Sequence, residues 1–234
     1  TGTNGQSLTY GLVIDLSRHM NNILHLDKRN RTITVQTGVV KDQLNAFLRP
    51  FGLFFAPELS TSNRATIGGM INTDASGQGS CEYGKTSQHT LAIKGVFPGG
   101  TTLLSQSYSR DLLQSARKLD TQEPIYHYIE ALDKLILPHK EKIREHFPPL
   151  NRYVTGYDLY HYAEDSGVNL NHLFCGSEGT LGIFTEVTLN LLPIPKETAL
   201  VLISYNDFIG ALGDTPALMA SGEATSIEIL DDIV

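Results

Sequence analysis

Cysteine is scarce: Cys81 and Cys175 are the only two in 234 residues. That leaves no disulfide framework and no Cys-rich metal spacing, and a reducing, cytoplasmic setting is the expectation. Long apolar runs are also lacking. No stretch approaches the ~20 residues of a membrane-spanning helix, and no basic, apolar leader opens the chain. Basic charge is in deficit, with 18 Lys and Arg against 25 Asp and Glu and a net charge of -7. With a pI near 5.6, the basic face needed to hold nucleic acid or anionic lipid is missing. A hydrophobic fraction of 41% is enough for a proper core in one large or two small domains. The turn-rich "TGTNGQSL" at the start and the patterned "IEILDDIV" at the end both read as cuts through a longer protein.

Periodicity outlines the elements. "LVIDL" (Leu12–Leu16) reads as a short strand, and "ILHLDKRNRTITVQT" as two strands around a turn at Lys28–Arg31, with Ile33 and Val35 alternating with Thr and Gln. "VVKDQLNAFLRPFG" has helical spacing at Val40, Leu44, Phe47 and Leu48 and stops at Pro50 and Gly52. "LAIKGVFPGGTTLL" is a hairpin turning at Pro98-Gly99-Gly100. From about Ser107 to His146 the pattern is helical, with the charges of "HKEKIREHF" on a solvated face. "IFTEVTLNLL" alternates and predicts Ile183, Thr185, Val187, Leu189 and Leu191 on one side. After Pro193 and Pro195, a strand "TALVLISY", a helix capped at "NDF" and a strand "TSIEIL" begin a new unit.

Three loops concentrate glycine with Thr, Ser and Asn: Thr1–Leu8, Thr66–Ser80 and "CGSEGTLG" (Cys175–Gly182). Such loops can aim several backbone N–H groups at an anion without a cationic side chain. The same composition makes ordinary turns, so residue content alone leaves both readings open. Neither G-x-G-x-x-G after a strand nor a P-loop is present.

In chain order, "GTNGQSL", "GLVIDLSRHMNNIL", "PELSTSNRATIGGMINTDASG", "YGKTSQHTL", "GYDL" and "LFCGSEGTLGIFTEVTLNLLP" resemble the FAD-binding domain of the p-cresol methylhydroxylase/vanillyl-alcohol oxidase (PCMH) superfamily. The similarity is greatest to its D-2-hydroxyacid dehydrogenase branch (D-lactate dehydrogenase, glycolate oxidase D subunit, D-2-hydroxyglutarate dehydrogenase), in the large bacterial type with a C-terminal iron–sulfur region. The resemblance implies an α+β fold, with a mixed, mainly antiparallel sheet flanked by helices. Residues 1–195 would form the FAD-binding domain, its N-terminal subdomain truncated, with a helical insertion at about 105–152 lying outside the core. Residues 196–234 would open a truncated substrate, or cap, domain.

The resemblance also implies cofactor contacts. Gly2, Thr3, Asn4, Gly5 and Gln6 would meet the pyrophosphate, and Pro57, Glu58, Ser60 and Thr61 the isoalloxazine or ribityl chain. Thr66, Ile67, Gly68, Gly69, Asn72 and Thr73 would lie near the phosphates, while Gly176, Gly179, Gly182 and the Ile183 backbone would allow close approach of FAD. Asp74 is left out of the site, because a carboxylate beside a pyrophosphate is unfavourable unless it points away. Glu178 reads as structural within its turn rather than as a general base, and His89 as a structural loop residue. FAD would be held non-covalently. His161 and His172 could pair on a metal, but no third ligand is spaced to help, so no metal site is expected. Cys175 reads as a buried small hydrophobe.

The complete protein would then oxidise a D-2-hydroxy acid such as D-lactate, D-2-hydroxyglutarate or glycolate by hydride transfer to FAD, a base taking the hydroxyl proton. In relatives the catalytic groups, with a His/Glu-bound metal, belong to the cap domain, so no catalytic residue is expected in this chain. An iron–sulfur cluster would lie further along the protein, which would be cytoplasmic or peripheral to the inner membrane. Two other readings stay open: a scaffold that does not retain FAD, and a flavin oxidase of an alditol, lactone or aromatic alcohol.

Overall fold

The computed structural model describes residues 10–118, 123–148, 150, 156–164 and 167–230. In chain order the elements are β1 (Ile23–Asp27), β2 (Thr32–Gln36), α1 (Lys41–Leu48), β3 (Leu53–Phe54), α2 (Ile67–Asn72), α3 (Ser80–Tyr83), β4 (Thr90–Val96) and β5 (Thr102–Ser105). The middle of the chain adds β6 (Ser107–Ser109), α4 (Arg110–Lys118), α5 (Pro124–Ile136), α6 (Lys140–His146), α7 (Leu159–Tyr162), β7 (Ala163–Glu164), β8 (Gly167–Asn169) and α8 (Leu170–Phe174). Then come β9 (Ile183–Asn190), β10 (Leu192–Pro193) and α9 (Phe208–Ala220).

A five-stranded sheet in the order β1-β2-β9-β4-β5 forms the centre, beside a β10-β3 pair and a small β6-β8-β7 sheet. Every pairing between the described strands is antiparallel, so the mainly antiparallel expectation holds and the described part contributes no parallel pair. The β1–β2 hairpin closes where it was expected: Asp27 Oδ1 accepts from the N–H groups of Arg29 (2.9 Å) and Asn30 (3.0 Å). Ile33 and Val35 point inward and are fully buried. Thr34 faces Thr188 across the β2–β9 pair, their hydroxyls 2.9 Å apart.

Two irregularities shape the sheet. On β4, Leu91 is an extra residue between Thr90↔Leu189 and Ala92↔Thr188. The Asn171 side chain on α8 donates to the carbonyls of Thr90 (3.2 Å) and Leu91 (2.8 Å) there and accepts from Ser105 Oγ (2.5 Å), which bolts the helix to β4 and β5. On β9, Lys94 pairs with Glu186 but Gly95 with Phe184, leaving Thr185 as a bulge. The bulge resets the alternation, so Phe184 is buried while Ile183 is exposed. This corrects the single inward face expected for Ile183, Thr185, Val187, Leu189 and Leu191: the last three are buried as expected, and the first two are not.

Phe184, once turned inward, meets Phe174 (ring centroids 5.5 Å apart) and Phe97 (6.2 Å). Phe97 also packs on Phe174 at 5.0 Å and on Tyr128 of α5 at 5.7 Å. The helical stretch therefore shares the core rather than forming a lobe outside it, with Leu113, Ile125, Ile129 and Ile136 in the same buried cluster as Ile93 and Val187. Its amphipathic face could be satisfied only against another apolar surface, and the sheet supplies that surface. Buried Asp133 adds a polar tie, accepting from Arg110 Nη1 (3.0 Å) and Tyr162 OH (3.2 Å).

The remaining expected strands do not form among the described residues. Leu12–Leu16, residues 198–205 and residues 226–230 form neither helix nor strand and lie in no sheet. A strand needs a neighbour to take its N–H and C=O groups, and these segments pair with no described strand. Leu200, Val201 and Leu202 are accordingly 75–85% exposed. The helix expected after "ND" does form, as α9, with Asp207 Oδ1 accepting from Gly210 N at 2.7 Å. No helix among the described residues is long and apolar enough to cross a membrane.

Removing the ring at the centre of the aromatic cluster should be costly. Phe174→Ala is expected to lower the unfolding free energy by about 3–5 kcal/mol in denaturant titration. A pH dependence also follows from Tyr108, which is buried and donates to the Leu104 carbonyl at 2.9 Å. Burial, aided by Tyr126 and Glu123, pushes its phenol up from 10.0 to about 12. Its contribution is fully present below pH 10 and is lost as the pH rises towards 12. Urea melts on either side of pH 10 should show that loss, and Tyr108→Phe should flatten it.

Candidate cofactor site

Two of the expected segments, residues 66–73 and 176–179, meet where α2 contacts the loop after α8. Thr66 caps α2, its hydroxyl accepting from Gly69 N at 3.2 Å. The strand bridge Val40↔Thr66 and the bonds Lys41 N→Ala65 O (2.9 Å) and Ile67 N→Val39 O (2.8 Å) fix the start of α2 against α1. At the other end, Gly176 N donates to Ile71 O and Glu178 N to Asn72 O, both at 2.8 Å. The turn that achieves this needs left-handed backbone at Gly176 (φ +85°), Glu178 (+54°) and Gly179 (+75°).

The glycines divide by cause. A Cβ on Gly68 would stand 2.8 Å from Thr37 Cβ, and one on Gly182 3.0 Å from Val96 O and 3.1 Å from the Phe97 ring. These two positions are glycine because neighbouring protein occupies the space. Gly176 and Gly179 are glycine because of φ. Gly69 would meet only the Thr66 hydroxyl, at 3.2 Å.

Two buried polar atoms lie at this junction without hydrogen-bond partners among the described residues: Asn72 Oδ1 and Ser177 Oγ. Leaving such a group unsatisfied costs about 1–3 kcal/mol, so a partner from solvent or from a ligand would stabilise each. Their chemistry suits FAD, since a hydroxyl can donate to a phosphate oxygen and an amide oxygen can accept from a ribityl or ribose hydroxyl. Ser177 was not among the residues predicted from sequence, although it stands between Gly176 and Glu178. Thr73 spends its hydroxyl on Gly69 O at 2.9 Å. Pro57 is buried, Glu58 and Thr61 are half-buried and Ser60 is exposed. Glu58 helps to hold the charge of buried Lys41, whose pKa burial pushes down and Glu58 pulls back up. Ile183 continues the β4–β9 ladder opposite Val96. Gly2, Thr3, Asn4, Gly5 and Gln6 lie outside the described residues.

The Asp74 carboxylate has partners of its own. It accepts from Ser87 N (2.8 Å) and Ser87 Oγ (3.1 Å) and pairs with Lys85 Nζ at 2.8 Å. Lys85 Nζ is also 3.8 Å from Asp158 Oδ2. Burial opposes the Asp158 carboxylate, but hydrogen bonds from His161 and the charges of His161 and Lys85 outweigh it and hold its pKa below the usual value. His89 is buried, with Nε2 2.7 Å from Tyr83 O and its ring edge-on to Phe55. Cys175 is buried, and desolvation first, then Asp74, pushes its thiol pKa well up, so it is inert packing. A separate cleft of about 440 Å³ opens beyond the loop, lined by Phe97, Leu103, His127, Tyr128, Thr180 and Leu181 among others. None of the site residues from 57 to 73 lines it.

The packing account of the glycines is directly testable. Gly68→Ala should destabilise by about 1–3 kcal/mol through overpacking. Gly69→Ala should leave the melting temperature unchanged or raise it, because alanine favours a helix interior by up to ~1 kcal/mol.

Residues 1–105 match the family described as FAD binding domain. The whole chain aligns with D-2-hydroxyglutarate dehydrogenases of Pseudomonas putida (52% identity) and Escherichia coli (45%), in each case over 100% of this chain and 23% of the relative. The glycolate oxidase subunit GlcD of Bacillus subtilis is 30% identical over 94% of this chain and 37% of its own length. A solved alkyldihydroxyacetonephosphate synthase aligns at 22% identity over 77% of this chain and 23% of its own, with a TM-score of 0.47. The chain thus spans about a quarter of the length of the D-2-hydroxyglutarate dehydrogenases it matches. The likeness to the FAD-binding domain family is carried by the first 105 residues.

Proposed function

We propose that this chain is the FAD-binding portion of a flavin-dependent dehydrogenase that oxidises a D-2-hydroxy acid to the 2-oxo acid, with D-2-hydroxyglutarate favoured as substrate. The observation that carries the reading is 52% identity over the whole chain to a D-2-hydroxyglutarate dehydrogenase. The α2–loop junction, with its two unsatisfied buried polar atoms, supports it.

In this reading Asn72 and Ser177 bind the cofactor through their side chains. Thr66, Ile67, Gly68, Gly69 and Thr73 shape the wall beside the phosphates, and Pro57, Glu58, Ser60 and Thr61 flank the ribityl chain or ring. Gly176, Gly179, Gly182 and Ile183 complete the wall, and Gly2, Thr3, Asn4, Gly5 and Gln6 meet the pyrophosphate. When bound, FAD supplies the two-electron acceptor for oxidation of the alcohol carbon. Binding is non-covalent: His89 is committed to Tyr83 O through Nε2, and Cys175 is enclosed. The chain's own task is to hold and orient the cofactor, while the groups that take the substrate's proton belong to the rest of the protein.

Residues 196–234 open the cap domain. The support is the run of exposed apolar side chains at Leu200, Val201, Leu202 and Ile203, which fits a strand awaiting its neighbours. An iron–sulfur cluster in the remainder of the protein and a cytoplasmic or inner-membrane-peripheral location complete the reading.

The visible absorption spectrum is the test. A flavin spectrum, present as purified or after adding FAD and released on denaturation, is expected, while the isolated chain should not turn over D-2-hydroxyglutarate. A colourless chain that takes up no FAD would overturn the cofactor reading, and turnover by the isolated chain would overturn the division of labour. Ser177→Ala should keep the melting temperature within about 1 kcal/mol of stability yet lower FAD retention. An equal fall in both would mean that Ser177 is structural.

A further inference from the structure

Asp158, His161 and His172 come together from the residue just before α7, from α7 itself and from α8. A donor atom of each lies within 4.8 Å of the other two. Asp158 Oδ2 is 2.8 Å from His161 Nδ1 and 3.8 Å from His172 Nδ1. The two imidazole rings stack with centroids 5.2 Å apart and planes 29° apart. A tetrahedral zinc ion with ligand bonds near 2.0–2.1 Å keeps its donor atoms roughly 3.3 Å apart. The first distance must open and the second close by about half an ångström each to meet that spacing, which small side-chain rotations can supply.

The chemistry of the groups favours a cation. His172 Nδ1 is buried and has no hydrogen-bond partner among the described residues. An imidazole nitrogen without a partner, beside a buried carboxylate, can offer its lone pair to a cation. Asp158 is anionic with its side chain 3% exposed. Lys85, 3.8 Å from the same carboxylate oxygen, has a nearer counter-charge in Asp74 at 2.8 Å. The formal charges of Asp74, Lys85 and Asp158 sum to −1, a balance that a divalent cation can offset.

We propose that Asp158, His161 and His172 form a site for one zinc-class divalent cation, with a fourth position open to water. Two imidazoles and a carboxylate are a donor set that zinc accepts. The ion would staple α7 to α8, immediately before the loop that docks on α2. The site does not depend on the flavin reading, because none of its ligands touches the α2–loop junction through a side chain assigned to FAD.

The test is done on the full-length protein, stripped with chelator and reloaded with Zn²⁺. Atomic emission should count one equivalent fewer per chain in His172→Ala and in Asp158→Asn than in the unmutated protein. Saturating Zn²⁺ should raise the melting temperature of the unmutated protein by more than it raises that of either variant. Equal metal content in the unmutated protein and a folded His172→Ala would overturn the site. Should the variants fail to fold, the unmutated protein decides. Zn²⁺ should protect His161 from carbethoxylation by diethylpyrocarbonate, read by peptide mass, and modification at the same rate with and without Zn²⁺ would overturn the proposal.

Discussion

Two backbone hydrogen bonds, Gly176 N to Ile71 O and Glu178 N to Asn72 O, hold together segments a hundred residues apart in sequence. They add donors from the loop to carbonyls at the C-terminal end of a six-residue helix, where Ile71 O also accepts from Asp74 N at 3.0 Å. The donors can reach those carbonyls only because the chain turns left-handed at Gly176, Glu178 and Gly179. Downstream, the turn feeds β9, the middle strand of the main sheet, so the helix, the loop and the sheet are placed by one constraint. The candidate site is the by-product of this closure: it brings Asn72 and Ser177 into one buried place without giving either a partner among the described residues.

The same closure explains why β9 bulges. The strand must leave the turn beside Gly182, pressed on Phe97, and still deliver Val187 and Leu189 to the core. One extra residue at Thr185 reconciles these demands by turning Phe184 inward onto Phe97 and Phe174. Thr37 then uses the bulge, donating its hydroxyl to Phe184 O at 2.7 Å and its N–H to Thr185 O at 3.1 Å. Thr37 is also the residue against which Gly68 packs. Helix α2 is therefore clamped at both ends by groups whose positions β9 determines.

Elements whose partners are local were legible in the sequence. The β1–β2 hairpin, α1 and the β4–β5 hairpin each carry their own turn or stop signal at Asp27, Gly52 and Pro98. Burial periodicity was less complete a guide, because it records which side chains want a core and not which backbone groups find a neighbour. Leu12–Leu16 and residues 198–205 have strand composition without a described strand to pair with. The Thr185 bulge left no mark on the alternation of "IFTEVTLNLL", since either Ile183 or Phe184 could serve as the inward residue. Asp158 was invisible for another reason. It lies three residues before His161 but fourteen before His172, and only the stacking of α7 on α8 brings all three within reach. Glycine composition was the most ambiguous signal, since Gly68 and Gly182 answer to protein packing and Gly176 and Gly179 to backbone conformation.

Charge placement completes the logic of the site. An anionic cofactor would be repelled by a carboxylate facing the α2–loop junction, yet Asp74 follows α2 by only two residues. Its backbone is left-handed, φ +44°, and its carboxylate is held and neutralised by Ser87 and Lys85. Lys85 is shared in turn with Asp158, which His161 binds through both its backbone and its ring. The Asp74 and Asp158 carboxylates are thus tied to Ser87, Lys85 and His161 rather than left to face an anion. A phosphate held at the junction would be bound by hydrogen bonds rather than by a counter-ion, so its affinity should depend on the rigidity of α2 and its turn more than on ionic strength.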